Sequence, residues 1–199
     1  MKFRKLTGTH GGRILLAAVP VAVVATVMMA GVANGAVPVA FDVSGSQFQI
    51  GATQLSGTSF SQYAGVAKDT NGKDHQVAIA NIGQASLSDL CQSVVTDTPL
   101  GKVGMLITAG GGGKPATATN LQIGMTDLKG DASFGNIRIG VDAAHVNTSA
   151  KGTAGDFAQD ADTIKIDGLQ QTAWSTQAAV FNLTGMHVQL TDGSKGCFS

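Results

Sequence analysis

Residues 48–57, FQIGATQLSG, carry the pattern that decides the fold. Phe48 and Ile50 alternate with glutamines, and a period of two is typical of a strand that buries one face. The segment recurs as residues 121–130, LQIGMTDLKG, with six of ten positions identical. Glycine- and threonine-rich strands also resemble one another through composition alone. A true echo indicates two related half-sheets, since 73 residues is too long a spacing for a solenoid of short repeats.

The same alternation returns along most of the chain after residue 40. It occupies residues 41–43, 77–79, 121–125, 137–141, 164–166 and 180–190. Turn-forming pairs such as Asn71-Gly72 and Asp192-Gly193 separate these segments. The pattern predicts a mainly β fold of mostly antiparallel short strands in a single domain, arranged as a curved sheet, a sandwich or a barrel-like closed sheet.

One stretch departs from the period of two. Leu87, Leu90, Cys91, Val94 and Val95 follow helical spacing. We therefore expect one short helix near 86–95, carrying Cys91.

The charge of the chain is unevenly distributed. Thirteen Lys+Arg balance thirteen Asp+Glu, but residues 1–35 hold four basic residues and no acidic one. Residues 36–199 therefore carry a net charge of −4, which argues against a nucleic-acid partner. At 13% charged residues, against roughly 25% in an ordinary soluble domain, the chain is also unlike a disordered polyampholyte.

Residues 1–35 have the pattern of a secretory signal peptide. A basic segment that ends at Arg13 precedes twenty uncharged residues, 14–33, and small residues follow. Cleavage is expected after Gly35 or after Ala33. Twenty apolar residues can also span a bilayer, so an uncleaved membrane anchor is the alternative. Either outcome exports residues 36–199 as a β-rich domain, to the exterior or to the cell envelope.

Cys91 and Cys197 are the two cysteines of the chain. In an oxidising compartment this count predicts one disulfide, which would tie the C-terminal tail to the middle of the chain. Two independent thiols are the alternative. Neither cysteine belongs to a Cys-x-x-Cys pair, which disfavours redox catalysis and a zinc site.

Every candidate motif for catalysis, a cofactor or a metal lacks a residue or a spacing that its chemistry requires. Residues 110–114, GGGGK, resemble a phosphate loop, but Pro115 replaces the hydroxyl residue that binds magnesium, so a hairpin tip is expected. Ser133 and Ser194 are the nearest approaches to a nucleophile elbow, and both lack its first glycine. His75, His145, His187 and Asp142 carry no local catalytic signature. Asp156, Asp160, Asp162 and Asp167 fit no known calcium spacing, and Trp174 is expected in the core.

Several short segments resemble a known family. They are residues 90–93 (LCQS), 118–121 (ATNL), 140–143 (GVDA), 155–159 (GDFAQ), 173–174 (AW) and 196–198 (GCF). The chain resembles a group of small exported actinobacterial proteins of unknown function, which often carry the label "cholesterol esterase". The resemblance implies no catalytic residues. Its members are often encoded near a small multi-pass membrane protein, which implies an envelope role and a membrane-protein partner.

Low charge and many amphipathic strands together favour a non-catalytic protein of the envelope or exterior. We expect it to self-assemble as a homo-oligomer, to bind lipid-like amphiphiles or a membrane through apolar sheet faces, or both, since uncovered sheet faces and edges need a partner. No cofactor is expected. A secreted lipid or steryl esterase is the alternative, and it depends on the family label. A coat- or fibre-forming surface protein is a third hypothesis.

Overall fold

Ten strands and one short 3-10 turn make up the regular structure of the computed structural model, which describes residues 42–99 and 101–199. In chain order the strands are β1 (Asp42–Val43), β2 (Phe48–Asp69), β3 (Asp74–Ser88), β4 (Leu90–Thr98), β5 (Gly101–Ala109), β6 (Ala116–Gly135), β7 (Arg138–Asp142), β8 (Phe157–Gln177), β9 (Val180–Asn182) and β10 (His187–Thr191). The 3-10 turn, Ala143–His145, follows β7. The predicted mainly β, antiparallel fold is confirmed.

Four long strands close into a barrel. β2, β3, β6 and β8 are neighbours in that order, and each pair is antiparallel. The start of β2 then pairs with β8, from Phe48 opposite Ala173 to Ala52 opposite Leu169, which closes the sheet. Of the three predicted architectures, the structure is therefore the closed one.

The barrel strands are much longer than the short strands predicted, at 22 residues for β2 and 21 for β8. They stay continuous because they bend instead of ending. Gly83 of β3 lies between Ser59 of β2 and Asn120 of β6, and these two residues have positive φ angles of 55° and 50°. A side chain at Gly83 would meet the Ser59 Cβ at 3.0 Å. A glycine therefore permits the three strands to bend together at one level.

The predicted helix near 86–95 is wrong. These residues form the end of β3 and most of β4, and both strands continue one unbroken register against β2. Asp89, with a φ of 49°, bends the chain between them. The bend leaves Leu87 and Leu90, three residues apart, both buried. That local spacing of three imitates the helical pattern.

The core fills the barrel with inward side chains of all four strands. Leu55, Leu121 and Leu169 are its largest fully buried apolar residues, and Phe60 packs against Phe134 with ring centroids 5.3 Å apart. Ile50 and Ile123, which occupy the same place in the two similar segments 48–57 and 121–130, are both buried. Their shared alternation thus places both on the inner face of the barrel.

A chain of polar side chains runs beside this core. Ser61 Oγ shares a hydrogen bond with Thr148 Oγ1 and accepts one from Asn81 Nδ2 at 3.2 Å. Gln122 Nε2 donates to Asn81 Oδ1 at 2.8 Å, and Gln177 Nε2 donates to Gln122 Oε1. This series of hydrogen bonds joins residues of β2, β3, β6 and β8, so it links all four barrel strands.

The predicted signal peptide or anchor, residues 1–35, and the N-terminal hydrophobic helix expected within it, lie outside the described residues. In the part of the chain that the structure describes, no helix is both long enough and apolar enough to cross a membrane.

Candidate functional site

Three strands extend the sheet beyond the barrel, and we call β4, β5 and β10 together the wing. β4 pairs with β2 on one side and with β5 on the other, and β10 pairs with β5 at the outer edge. The wing is thus a continuation of the barrel wall that no longer closes on itself.

One face of the wing is mostly apolar, with Gln92, Thr96 and Thr98 of β4 as its polar members. Cross-strand partners share a face and residues alternate along each strand, so the register defines this face. One row joins Leu190, Met105, Val94 and Phe48, each opposite the next on adjacent strands. We call Val94, Val103, Met105, Ile107, Val188 and Leu190 the wing face. Phe48 packs against the barrel core, so the wing face is continuous with that core.

The outer part of the wing face is uncovered in the described structure. The exposed fractions are 36% for Met105, 42% for Val103, 46% for Val188 and 73% for Leu190. Scattered exposed apolar residues are ordinary, but a contiguous apolar set is typical of an interaction surface.

The C-terminal tail crosses part of the opposite face of the wing. The sulfurs of Cys91 and Cys197 lie 2.04 Å apart, at disulfide distance. The backbone N–H of Cys197 donates to Gln49 Oε1 at 3.0 Å and to Ser93 Oγ at 3.1 Å. Gly193 lies against β4 and β5 in the same crossing. The tail therefore crosses β4 and β5 on this face, where His187 and Gln189 of β10 stay exposed, and it leaves the wing face open.

A narrow cavity lies where the wing joins the barrel. It is lined by leucine and isoleucine side chains together with Gln92, Gln171 and Thr176, and its volume of about 10 Å³ suits one water molecule. Gln171 Nε2 and Thr176 Oγ1 are buried without a hydrogen-bond partner among the described residues. Gln92 lies in the wing-face row of Ile107 and Ile50, so an amide ends the apolar surface at its inner side.

The family comparison applies to nearly all of this structure. The model of a family of unknown function, DUF6230, matches residues 44–198. The chain belongs to the DUF6230 family. No curated protein and no solved structure matches this DUF6230 chain.

The structure of the DUF6230 protein separates the residues considered for hydrolysis. Ser133 lies in β6 opposite Lys165, and Ser194 donates to Asp192 within its own turn. That bond holds the pKa of Asp192 below its ordinary value. His187 lies exposed on β10. Among the described residues no hydrogen bond joins a serine to a histidine, and no comparison supports the esterase reading.

His75 and His145 face carboxylates. His75 Nε2 lies 3.1 Å from Asp69 Oδ2, and its ring stacks on Trp174 with centroids 3.7 Å apart. The hydrogen bond from His75 is the main cause that lowers the pKa of Asp69. His145 lies near Asp142, whose pKa is lowered chiefly by the backbone N–H groups of Ala144 and Gly155. Both carboxylates hold turns in place. Trp174 is half-buried on a small side cluster, outside the main core where we expected it.

The acidic residues considered for calcium point to separate partners. Asp160 is fully buried against Arg138, Asp162 accepts from Asn136, and Asp167 accepts from Lys165. The described residues contain no group of three or more His, Cys, Asp or Glu side chains that could hold a metal ion. Residues 110–113 lie between β5 and β6. These two strands do not pair with each other, so the expected hairpin tip is wrong.

An open groove of about 590 Å³ lies between the β2–β3 and β6–β8 ribbons. Small residues, several of them Ser or Thr, line most of it, together with Phe134 and Lys165. Lys165 Nζ donates to Asp167 at 2.8 Å, which holds the pKa of that carboxyl below its ordinary value. The groove offers hydroxyl groups for hydrogen bonding, but its lining includes no histidine or acidic side chain to act as a base.

Sequence reasoning did not find the wing face as a site. Its residues alternate like those of the barrel strands, and alternation alone does not tell which inner face will be enclosed. The one available signal was that β10, residues 187–191, contains no charged Lys, Arg, Asp or Glu.

Proposed function

We propose that this protein is a non-catalytic component of the cell envelope or its exterior, and that its wing face binds a lipid-like amphiphile. The single observation that carries the proposal is the uncovered apolar surface of β5 and β10. The basic and then uncharged N-terminal segment supports export, which places the surface in a compartment where lipids and membranes are available.

The chemistry of the wing face favours a long apolar ligand with an uncharged head group. The face carries no Lys, Arg, Asp or Glu; Lys102 and Asp97 alternate onto the opposite side of β5 and β4. Its inner end is the half-buried amide of Gln92. An acyl chain would lie along Met105 and Val188, and a hydroxyl or ester group would reach that amide.

The available free energy is moderate. Complete burial of a Val, Leu or Met side chain contributes about 1.5–3 kcal/mol, so covering the exposed half of four such residues contributes roughly 4 kcal/mol. A free energy of about 4 kcal/mol corresponds at best to a millimolar dissociation constant, because association also costs the ligand its freedom of movement. Tighter binding requires a larger apolar surface.

Titration with a pyrene-labelled monoacylglycerol tests the ligand class. The protein recovered after expression of the full chain should bind the probe, and Val188→Ser should weaken binding about fivefold, since 1 kcal/mol is a factor of about five. Val66→Ser is the matched control, because Val66 is 52% exposed on β2, far from the wing. Equal binding by both variants, or none by the natural protein, would contradict the proposal.

Export is tested separately by mass spectrometry of the protein from the native host. An exported chain that begins after Gly35 or Ala33 is released, and one that retains residue 1 is anchored. Protein found only inside the cell would contradict an envelope role.

A further inference from the structure

The two terminal strands of the sheet differ in how they protect their free edges. In the described structure, β7 and β10 end the strand order, and each pairs on one side. β7 contains Arg138 and Asp142, and its register against β8 shifts at Gly140, which has a φ of 84°. Charges and a bulge are the features by which proteins discourage pairing at an edge.

β10 has none of these features. Its five residues run in unbroken register with β5, from His187 opposite Thr108 to Thr191 opposite Gly104. It contains no proline, no bulge and no Lys, Arg, Asp or Glu, and residues 187–190 are all exposed. The C-terminal tail that follows crosses the face of β5 and β4, where Gly193 approaches Val95 and Lys102. It therefore leaves the outer edge of β10 open.

An unprotected edge presents a row of unpaired N–H and C=O groups, whose natural partner is another strand. The sequence of β10, HVQLT, suits pairing with itself. With Gln189 opposite Gln189 of a second copy, Val188 faces Leu190 of that copy and Leu190 faces its Val188. No like charges meet across such a pair, and two apolar cross-strand pairs form.

We propose that two copies of this chain pair antiparallel through β10 about a two-fold axis. The contact joins β4, β5 and β10 of one copy to β10, β5 and β4 of the other in a six-stranded sheet. Because the pairing is isologous, it closes after two copies. Pairing of β10 with β7 would instead propagate into a filament, and the bulge and charges of β7 disfavour it.

The pairing deepens the proposed function, on which its biological purpose rests. The two wing faces lie on the same side of the joined sheet, so the dimer doubles the apolar area offered to one ligand. It supplies the larger surface that a single wing face lacks.

Sedimentation of the full chain and two lysine variants tests the dimer. The natural protein should have the mass of two chains, and Gln189→Lys should halve that mass because two ammonium groups would meet at the axis. Gln189 alternates onto the face opposite the wing face, so the wing face is unchanged. Gln76→Lys, at an exposed position of β3, should remain dimeric.

A cysteine at the axis provides a positive test. Oxidised Gln189→Cys should form a covalent dimer, and Gln76→Cys should remain single chains. A monomeric natural protein at every concentration, a ladder of larger masses, or a dimer that persists in Gln189→Lys would each overturn the two-fold pairing. Binding of the pyrene-labelled probe by monomeric Gln189→Lys would show that the ligand site survives without the dimer, so the two proposals fail separately.

Discussion

Removal of the Cys91–Cys197 bond should destabilise the protein strongly. The bond links residues 106 positions apart. A loop of this length reduces the entropy of the unfolded chain by an amount worth about 4.8 kcal/mol at 298 K in the chain-entropy model. Since a domain of this size is stable by about 5–15 kcal/mol, the loss would consume much of the total.

The double variant Cys91→Ala/Cys197→Ala is expected to keep the native fold. The tail is still held by the bonds from the Cys197 backbone to Gln49 and Ser93, which do not involve the sulfurs. The effect should therefore arise in the unfolded state. Urea unfolding should show a lower midpoint and a steeper dependence on urea, because an open chain exposes more surface. The melting temperature should fall by about 10–20 °C.

Two controls separate the cross-link from the tail contact. Phe198→Ala keeps the bond but weakens the packing of Phe198 near Gly51, and it should cost about 1 kcal/mol or less. Reductant should destabilise the natural protein to the level of the double variant and leave the double variant unchanged. A loss below about 1 kcal/mol with an unchanged urea slope would refute the entropic argument.

Three further measurements test the fold locally. Gly110→Ala should destabilise the protein more than Gly112→Ala in urea unfolding. Both residues have positive φ, but only at Gly110 would the new Cβ meet backbone, 2.6 Å from the Leu87 oxygen. Equal losses of unfolding free energy in the two variants would contradict this contact. Thr176→Val should leave the free energy of unfolding unchanged or raise it, since the buried hydroxyl has no hydrogen-bond partner among the described residues, and a loss above about 1 kcal/mol would contradict this. Asp69→Asn should lower the free energy of unfolding near neutral pH, and its difference from the natural protein should shrink as pH falls below about 3.9. The folded-state pKa of Asp69 is depressed, so its contribution to stability is present above the unfolded pKa and is lost as pH falls through the folded pKa. A difference that does not change with pH would contradict the role of the carboxylate.

The sequence predicted which residues face inward better than where the strands bend. Ile50 and Ile123 were placed on strands by their alternation, and both are buried. The bends at Ser59 and Asn120 were not predicted, because neither residue type identifies a positive φ within a strand by itself. The helix predicted near 86–95 failed for the same reason, since Asp89 bends a strand without breaking its register.

The wing could not be predicted because enclosure is a property of the whole sheet. Met105 and Val188 alternate in the same way as Ile123, yet Ile123 lies inside a closed barrel and the other two lie on strands that extend past it. The difference depends on whether β2 reaches β8, a pairing between residues more than 100 positions apart. The buried polar chain through Asn81 and Gln122 was missed likewise, since its partners come from different strands.

The placement of the few acidic residues explains how a chain with so little charge keeps an apolar face free of it. Asp69, Asp142, Asp160 and Asp192 each accept hydrogen bonds from backbone N–H groups, in turns or loops outside the wing face. Their carboxylates accept hydrogen bonds from backbone N–H groups that the sheet leaves unpaired and that would otherwise bind water. This requirement explains why the acidic residues lie at those places. The wing face has no such turn and therefore needs no carboxylate. Val103, Met105, Val188 and Leu190 are exposed in the described structure, so burial in the core does not explain why they are apolar. These residues are Val, Met and Leu, and they lie on or beside an edge strand that has no protection against pairing. This is the strongest reason to expect that they contact a ligand or a second copy of the chain.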